Sequence, residues 1–453
     1  MENSRKSNSA DLAHRLAGQL ATLIPPHSSI LIAFSGGVDS VVLLHLLHQF
    51  APRFSWRLSA LHVHHGISPH ADDWATFCER RCAAYNISFH LEHVDIAPLR
   101  EQGIEAAARQ LRHAAYARHQ RDFLALAHHA DDQAETLLLQ LLRGTGVRGA
   151  SAMPMLTRRT TQWVRPLLAC TRAEIVAYAK AHHLPWIEDE SNADDRYPRN
   201  FLRHQVLPVL AQKFPAYRST LSRSAQHFSE ASTLLDELAQ QDAITAIQDD
   251  RLKVAELRRL SAARAKNLTR YFLQSRGAPM PQTVQLDDMA QQLCGARDDA
   301  AVCVAYGGWQ VRRYQNDVYA LPALPDFDKH IQLPNQDLAP LEWSALGMQL
   351  DFVRTQGEGI SLDKLRSAPV TLRVRQGGEA MRPHVHAAKR TLKNLLQEHQ
   401  MPPWLRDRLP LLYCGEELVC VLGVAIAAGF QAEAGEEGMQ MRLVGDVGAP
   451  DWI

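Results

Sequence analysis

The sequence predicts an α/β protein with a doubly wound parallel-sheet domain over residues 1–215, a mainly helical middle domain over 216–330 and a small α+β domain over 370–453. Three observations carry that expectation. From Ser29 to about Leu210, short β-rich runs alternate with helical stretches, the pattern of a parallel sheet covered by helices. After Lys213-Phe214-Pro215 the strand signals give way to helical ones. Beyond residue 370 the order becomes strand, helix, strands.

In the first domain, strands are expected over 29–34, 58–64, 87–93 and 123–127, with helices beginning near Asp39, Ala71, Ile104 and Asp131. In the middle domain, helices are expected over 229–247 and 256–274, closing with a β-like run near 309–319. Pro322, Pro325, Pro334 and Pro340 then mark a stiff, proline-rich connection over 331–369. The last domain is read as a strand over 371–374, a helix over 389–399 and strand structure over 418–425.

Composition bounds the function classes. A chain of 453 residues is too long for one ordinary core, and 46% hydrophobic with 22% charged residues is the balance of folded domains. The 49 basic and 49 acidic side chains cancel, so a nonspecific nucleic-acid binder with a large basic excess is disfavoured, whereas local basic patches stay open. Seven cysteines without a C-x-x-C pair fit reduced, mostly buried thiols. The polar start Met-Glu-Asn-Ser-Arg-Lys, with no apolar run after it, predicts no secretion signal. The longest apolar run, 418–430, is broken by Gly423 and Gly429 and is too short to cross a bilayer. A cytoplasmic location without membrane contact is expected.

The most informative segment is the apolar strand Ile30-Leu-Ile-Ala-Phe running into Ser35-Gly36-Gly37-Val38-Asp39-Ser40 and then an amphipathic helix. Paired glycines permit a tight turn and let phosphate oxygens approach the main chain. The first N–H groups of the helix then face the anion, aided by the helix dipole, and Ser35 and Ser40 add hydroxyl donors. The pattern G-x-x-x-x-G-K-[ST] is absent, so no lysine is placed to hold a γ-phosphate for transfer. Asp39, an anion, does not bind phosphate itself; its expected task is to hold Mg²⁺ or to orient a polar group. An ordinary Gly-Gly turn capped by Asp39 is the plainer alternative.

Other polar groups gather around the same sheet. His62, His64 and His65 end the second strand, where ligands collect in parallel sheets, and a nucleotide-pocket role is expected in preference to zinc. Glu105, Arg109, Arg112 and Tyr116 share one helical face, either as a surface stripe or as a polar wall for an amino-acid substrate. His128-His129-Ala-Asp131-Asp132-Gln133-Ala-Glu135 opens a helix, where acidic residues could be caps, but Asp132 and Glu135 on one face could also hold Mg²⁺ or an ammonium group. Arg199 and Arg203, four apart after Pro198, would point the same way toward phosphate or RNA, unless their segment is a solvated capping loop.

Together these residues resemble the tRNA(Ile)-lysidine synthetases. The Ser35–Ser40 segment resembles the S-G-G-x-D-S loop shared by the PP-loop (adenine nucleotide alpha hydrolase-like) ATP pyrophosphatases, which implies cleavage between the α and β phosphates. More specific are Leu61-His-Val-His-His-Gly66, Gly103-Ile-Glu105 with Arg109 and Arg112, His-His-Ala-Asp-Asp-Gln-Ala-Glu-Thr from His128, Arg165-Pro-Leu-Leu168, and Asp189-Glu-Ser191-Asn192 with Arg199-Asn200. Lys389-Arg390-Thr-Leu-Lys393 and Pro402-Pro403-Trp404-Leu-Arg406 resemble the family's C-terminal tRNA-contacting domain. There Leu392, Leu395 and Leu396 form an apolar side and the cations a basic one, suited to RNA phosphates or simply to solvent.

The resemblance implies an ATP-dependent ligase forming a C–N bond. The oxygen on carbon 2 of the wobble cytidine in a CAU anticodon attacks the α-phosphate of ATP, pyrophosphate leaves, and the ε-amine of free L-lysine displaces AMP. It implies Asp39, Asp132, Glu135, His128 and Arg199 as catalytic candidates and Ser35, Gly36, Gly37, Val38, Asp39, Ser40 and His64 as the ATP seat. Glu105, Arg109 and Arg112 would receive lysine; Arg203, Lys389, Arg390, Lys393 and Arg406 would meet tRNA(Ile); Asp39 and Asp132 would hold Mg²⁺. Arg259, Arg264, Lys266 and Arg270 are further candidate contacts in the middle domain, and a homodimer is the oligomer considered. The competing readings are a PP-loop tRNA thiolase, for which Cys78 and Cys82 supply no convincing sulfur site, and a catalytically silent tRNA-binding protein, which the complete set of Gly36, Gly37, Asp39, Asp132 and Glu135 opposes.

Overall fold

The computed structural model describes residues 2–444 apart from 159, 191–193, 298, 299 and 336, and, for residues 2–11, 100–102, 105 and 345, the backbone alone. The chain divides into two compact units, Met1–Leu235 and Asp236–Ile453.

The strands of the first unit are β1 (Ser29–Ala33), β2 (Arg57–His64), β3 (Ser88–His93), β4 (Phe123–Ala125), β5 (Leu156–Thr157) and β6 (Gln162–Val164). Its helices are α1 (Glu2–Leu23), α2 (Val38–Phe54), α3 (Ala71–Ala84), α4 (Ile104–Arg118), α5 (Ala130–Leu142), the single turn α6 (Val147–Ala150), α7 (Arg172–Ala181), α8 (Pro198–Phe201), α9 (Leu207–Lys213) and α10 (Tyr217–Ala246), the last running on into the second unit. The sheet order is β3-β2-β1-β4-β6-β5, parallel throughout except for β5 at one edge. Alternation along β1 explains the two helical layers. Ile30 and Ile32 enter a core with Leu16 of α1, Val42 of α2, Cys78 of α3 and Tyr178 of α7, whereas Leu31 enters another with Ala115 of α4 and Leu124 of β4.

This order places a topological switch between β1 and β4. Successive connections from β1 run out in one direction to β2 and β3, and the chain then returns to pair β4 on the other side of β1. The crevice outside the carboxyl ends of such neighbouring strands is where ligands bind in open α/β sheets. The glycine turn follows β1 and the His128–Glu135 segment follows β4, so the topology brings both to one crevice. The four expected strands and helix starts are found within a few residues. The short β5 and β6 escaped the sequence reading because two- and three-residue strands carry no period.

The second unit begins with the end of α10. Its middle portion packs helices Val254–Arg259, Ala262–Ser275 and Thr283–Gly295 against a five-stranded antiparallel sheet, and the β-run expected near 309–319 forms two of its strands. The expected 256–274 helix is interrupted because Leu260 is extended and Ser261 caps a new helix, its hydroxyl accepting from the Arg264 N–H. The connection expected over 331–369 is instead folded. Gln349–Gln356 pairs with Glu437–Val444, and Trp343, Leu350, Ile360 and Leu365 are core residues of the C-terminal portion. Strand pairing across some ninety residues is a long-range event that prolines in the intervening sequence do not report. The basic helix spans Leu392–Glu398, starting after its Thr391 cap, with Leu392, Leu395 and Leu396 buried and Lys393 exposed.

Candidate active site

The turn after β1 is built around Gly36, whose φ of 85° belongs to the left-handed region. A Cβ there would lie 2.6 Å from Ile187 Cδ1 and 3.1 Å from Cys78 Sγ, so it would push the Ile187 tip aside, while the backbone conformation is what demands glycine. The Ile187 N–H donates to the Gly36 carbonyl at 3.0 Å and clamps the turn from behind. Gly37 is the N-cap of α2 and offers no side-chain cap, leaving the first N–H groups of a 17-residue helix directed at the crevice. Ser40 donates to the Gly37 carbonyl at 2.9 Å and lies 3.2 Å from the Ser35 hydroxyl, so Ser40 also braces the turn. His62, buried beneath, has Nδ1 2.9 Å from the Phe34 carbonyl oxygen and supports the loop from within.

Asp39, in the first turn of α2, faces the start of α5. His129 is the N-cap of α5; its Nδ1 accepts from the Asp132 N–H at 3.3 Å, which leaves the proton on Nε2. That Nε2 lies 3.7 Å from Asp39 Oδ1 and 3.4 Å from Asp132 Oδ2. Arg172, at the start of α7, brings Nη1 to 3.5 Å from Asp39 Oδ2. Burial still pushes the Asp39 carboxyl above its usual value, against the pull of His129 and Arg172, and its Oδ1 is buried with no hydrogen bond. A buried carboxylate oxygen with no hydrogen bond, beside a glycine turn and an open helix N-terminus, suits a hard cation. Asp132 differs: Oδ2 accepts from the His129 N–H at 3.0 Å, and Oδ1 lies 3.2 Å from Arg199 and 3.4 Å from Arg203. Burial alone would raise its carboxyl, but His129 and Arg199 outweigh that and hold it below the ordinary range. Both oxygens of Asp132 are thus committed to nitrogen donors, and the expected metal role fits Asp39 better.

Glu135, 0% exposed, is the hub of the cluster. Its Oε2 accepts from Arg199 Nε at 2.7 Å and its Oε1 from Arg203 Nε at 2.7 Å, with Arg203 Nη2 a further 3.0 Å from Oε2. Arg203 sits in a π-helical turn, Leu202–Val206, between α8 and α9. The two arginines expected to share a direction do so, and the carboxylates expected to hold a cation hold guanidinium groups. The loop before α8 is tied down by Arg196 to Asp194 at 2.7 Å and His204 to Asp195 at 2.6 Å; Ser191 and Asn192 lie outside the described residues.

Of the outer candidates, His64 lies 3.1 Å from Asp72, and its ring centre lies 4.6 Å from that of His93 with the planes tilted by 44°. His65 and His128 are each pushed down to about 4, by burial first and then by arginine charge, Arg112 for His65 and Arg165, Arg199 and Arg109 for His128. Arg109 and Arg112 of α4 therefore direct their fields into the same crevice; the Glu105 side chain lies outside the described residues. Four participants went unselected in the sequence: His129, Asp131, Arg172 and Arg218. Asp131 accepts from the Arg172 N–H at 2.8 Å and pairs with Arg218, joining α5, α7 and α10. The Thr171-x-x-Glu174 capping box marked the start of α7 and hence Arg172; nothing local marked Arg218.

In the C-terminal portion Lys389 and Lys393 are exposed, and Arg390 pairs with Glu398. Arg406 departs from its expected RNA-facing role. It is 9% exposed, donates from Nε to the Met401 carbonyl at 2.7 Å and from Nη2 to the Tyr314 hydroxyl at 2.9 Å, and so joins the C-terminal and middle portions. In the middle portion Arg264 pairs with Asp242, Lys266 with Asp287 at 2.8 Å and Arg259 with Glu256 at 2.6 Å.

The chain is similar along most of its length to known proteins. A PP-loop domain model matches residues 9–210, a TilS substrate binding domain model 252–319 and a TilS substrate C-terminal domain model 370–443. A tRNA(Ile)-lysidine synthase of Nitrosomonas europaea is 40% identical over 451 residues, covering 97% of each chain. The corresponding protein of Coxiella burnetii is 37% identical, over 93% of this chain and 94% of that one. Among solved structures, the U34-tRNA thiolase NcsA from Methanococcus maripaludis is 17% identical with a TM-score of 0.43, covering 50% of this chain and 80% of that one.

Proposed function

The chain belongs to the tRNA(Ile)-lysidine synthase family, a group of ATP-dependent PP-loop ligases, and on that premise we propose the reaction and the residues that carry it. The enzyme joins free L-lysine to carbon 2 of the wobble cytidine in the CAU anticodon of the minor tRNA(Ile), with ATP converted to AMP and pyrophosphate. The observation that carries this reading is the convergence of an uncapped glycine turn with the Asp39–His129–Asp132–Glu135–Arg199–Arg203 cluster at the β1/β4 crevice.

The N–H groups after Gly37 seat the phosphates, and the cytidine O2 attacks the α-phosphorus as the bond to the β-phosphate oxygen breaks. Adenylation converts a poor leaving group into AMP, and lysine Nε then forms a bond to carbon 2 while the C2–O2 bond breaks. No protein nucleophile is required; positioning and charge neutralisation supply the rate. Arg199 and Arg203, held by Glu135, present fixed positive charge where the phosphates change charge. Asp39, with its unpartnered Oδ1, is the residue that fits Mg²⁺, which when bound neutralises charge on the departing pyrophosphate. Arg109 and Arg112 form the wall for lysine and suit its carboxylate. Burial, joined by the fields of Arg165, Arg199 and Arg109, keeps His128 neutral, and the same surroundings favour the uncharged amine that must attack.

Lys389, Arg390 and Lys393 meet tRNA phosphates, and the enzyme works in the cytoplasm; no described helix is long and apolar enough to cross a membrane. Sedimentation of the purified chain decides whether it forms a homodimer. A thiolase reading has little physical support: burial raises the thiols of Cys78 and Cys82, the latter to about 12, which disfavours the thiolates that sulfur relay needs.

The test supplies labelled lysine, ATP and Mg²⁺ with CAU-bearing transcripts of the minor isoleucine tRNA and of methionine tRNA. Lysine incorporation into the isoleucine transcript alone is expected. Folded protein that incorporates none refutes the reading.

A further inference from the structure

A cleft of about 1230 Å³ opens beside the catalytic cluster, between α7, the segment through α9 and the start of α10. No residue of the Ser35–Ser40 turn lines it, so it is distinct from the seat for the ATP phosphates, although Glu135 and Arg203 form part of its wall. Four Arg or Lys side chains line it, Arg172, Lys180, Arg203 and Arg218, against two carboxylates, Asp131 and Glu135. Both carboxylates are already matched: Asp131 pairs with Arg218, and Glu135 with Arg199 and Arg203. Lys180 makes no ion pair among the described residues and is exposed; Arg172, 45% exposed, reaches Asp39 at 3.5 Å, outside the cleft's lining. The cleft therefore carries surplus positive charge. Its lining also includes the apolar residues Val176, Leu207, Pro208 and Ala211. A lining that mixes cationic and apolar side chains suits a chain of nucleotides, the cations for phosphates and the apolar groups for base or ribose faces. The volume also exceeds the ~300–1,000 Å³ that encloses a drug-sized ligand, as an extended ligand needs.

We propose that this cleft holds backbone phosphates of the anticodon-loop nucleotides adjoining the reacting cytidine, with Arg172, Lys180 and Arg218 as their partners. The assignment rests on the tRNA substrate proposed above and extends it to a specific surface. Arg172 has a second consequence. Its guanidinium reaches both the cleft and, at 3.5 Å, Asp39 of the ATP turn, so an RNA phosphate drawing on Arg172 alters the charge beside Asp39. Occupation of the cleft by RNA and readiness of the ATP site are thereby coupled through one side chain.

The test uses the full chain and a transcript of the isoleucine anticodon stem-loop. Binding is measured across a salt series for wild type, Lys180→Glu, Lys180→Arg and Ala177→Glu, the last placing a carboxylate in the same cleft. The Glu variants are expected to bind the stem-loop about tenfold more weakly, with the salt slope reduced by about one, while Lys180→Arg stays near wild type. Thermal midpoints and ATP affinity are expected to hold, since Lys180 is exposed and makes no ion pair among the described residues. Unchanged stem-loop affinity and slope in folded Glu variants overturn the proposal, as does a change confined to inhibition by pyrophosphate, which would mark a product exit instead. If wild type ligates no lysine yet binds the stem-loop in a Lys180-dependent way, the reaction falls and the cleft assignment stands.

Discussion

Glu135 Oε2 accepts a hydrogen bond from Arg199 Nε at 2.7 Å, and this buried pair, completed by Arg203 on the other carboxylate oxygen, turns a helix start into a rigid cationic wall. A fully buried carboxylate without partners would be costly, and so would two guanidinium groups left facing one another. The cluster therefore stands or falls as a unit.

Glu135→Ala is expected to remove about 3–5 kcal/mol of stability, because it leaves partly buried arginines uncompensated, and to abolish lysine incorporation. Urea denaturation with a single-turnover assay measures both. A variant as stable as wild type would mean that Arg199 and Arg203 find other anions at no cost.

Asp39→Asn preserves the shape of the turn but removes its charge. Pyrophosphate release is expected to fall at least a hundredfold while tRNA binding by filter assay changes less than twofold. Near-wild-type turnover would dissociate Asp39 from the chemistry.

Gly36→Ala meets both a positive φ and the Ile187 side chain. The expected cost is about 1–3 kcal/mol, accompanied by loss of ATP affinity, since relief of the clash opens the turn. Isothermal titration with ATP checks the second effect. Gly37→Ala, where φ is −68° and a Cβ would meet Ser35 Oγ at an unstrained 3.6 Å, should be milder in stability.

His128 gives the protein a specific acid sensitivity. Its imidazole titrates near 4 when folded but near 6.5 when unfolded, so below pH 6.5 the unfolded state takes up a proton that the folded state refuses. Stability is expected to fall as pH drops from about 6.5 to 4, by up to about 3 kcal/mol from this residue. His128→Gln should flatten that part of the stability–pH curve in denaturant titrations; an unchanged slope would assign the loss elsewhere.

Two C-terminal cations should separate cleanly. Lys393→Ala is expected to weaken tRNA binding and to lower the salt slope by about one without changing the melting temperature. Arg406→Ala strips the Met401 carbonyl and Tyr314 hydroxyl of their partner and is expected to destabilise by about 2 kcal/mol, any loss of tRNA affinity following from that. Calorimetry beside salt-dependent binding distinguishes the two.

The amino-acid sequence by itself determined the local features. Strands near 29–34 and 58–64 follow from apolar runs, the turn from paired glycines, the basic helix from leucines at 392, 395 and 396, and each is decided by neighbours in the chain. Which charges meet was decided only by tertiary structure. That Asp132 and Glu135 bind Arg199 and Arg203, that Arg172 approaches Asp39, that Arg406 turns inward to Tyr314, and that 331–369 folds against a strand ninety residues later depend on strand order and helix docking. Electrostatic partners are chosen by distance in space, and local sequence patterns carry no record of the distance between segments that only the sheet's switch point brings together.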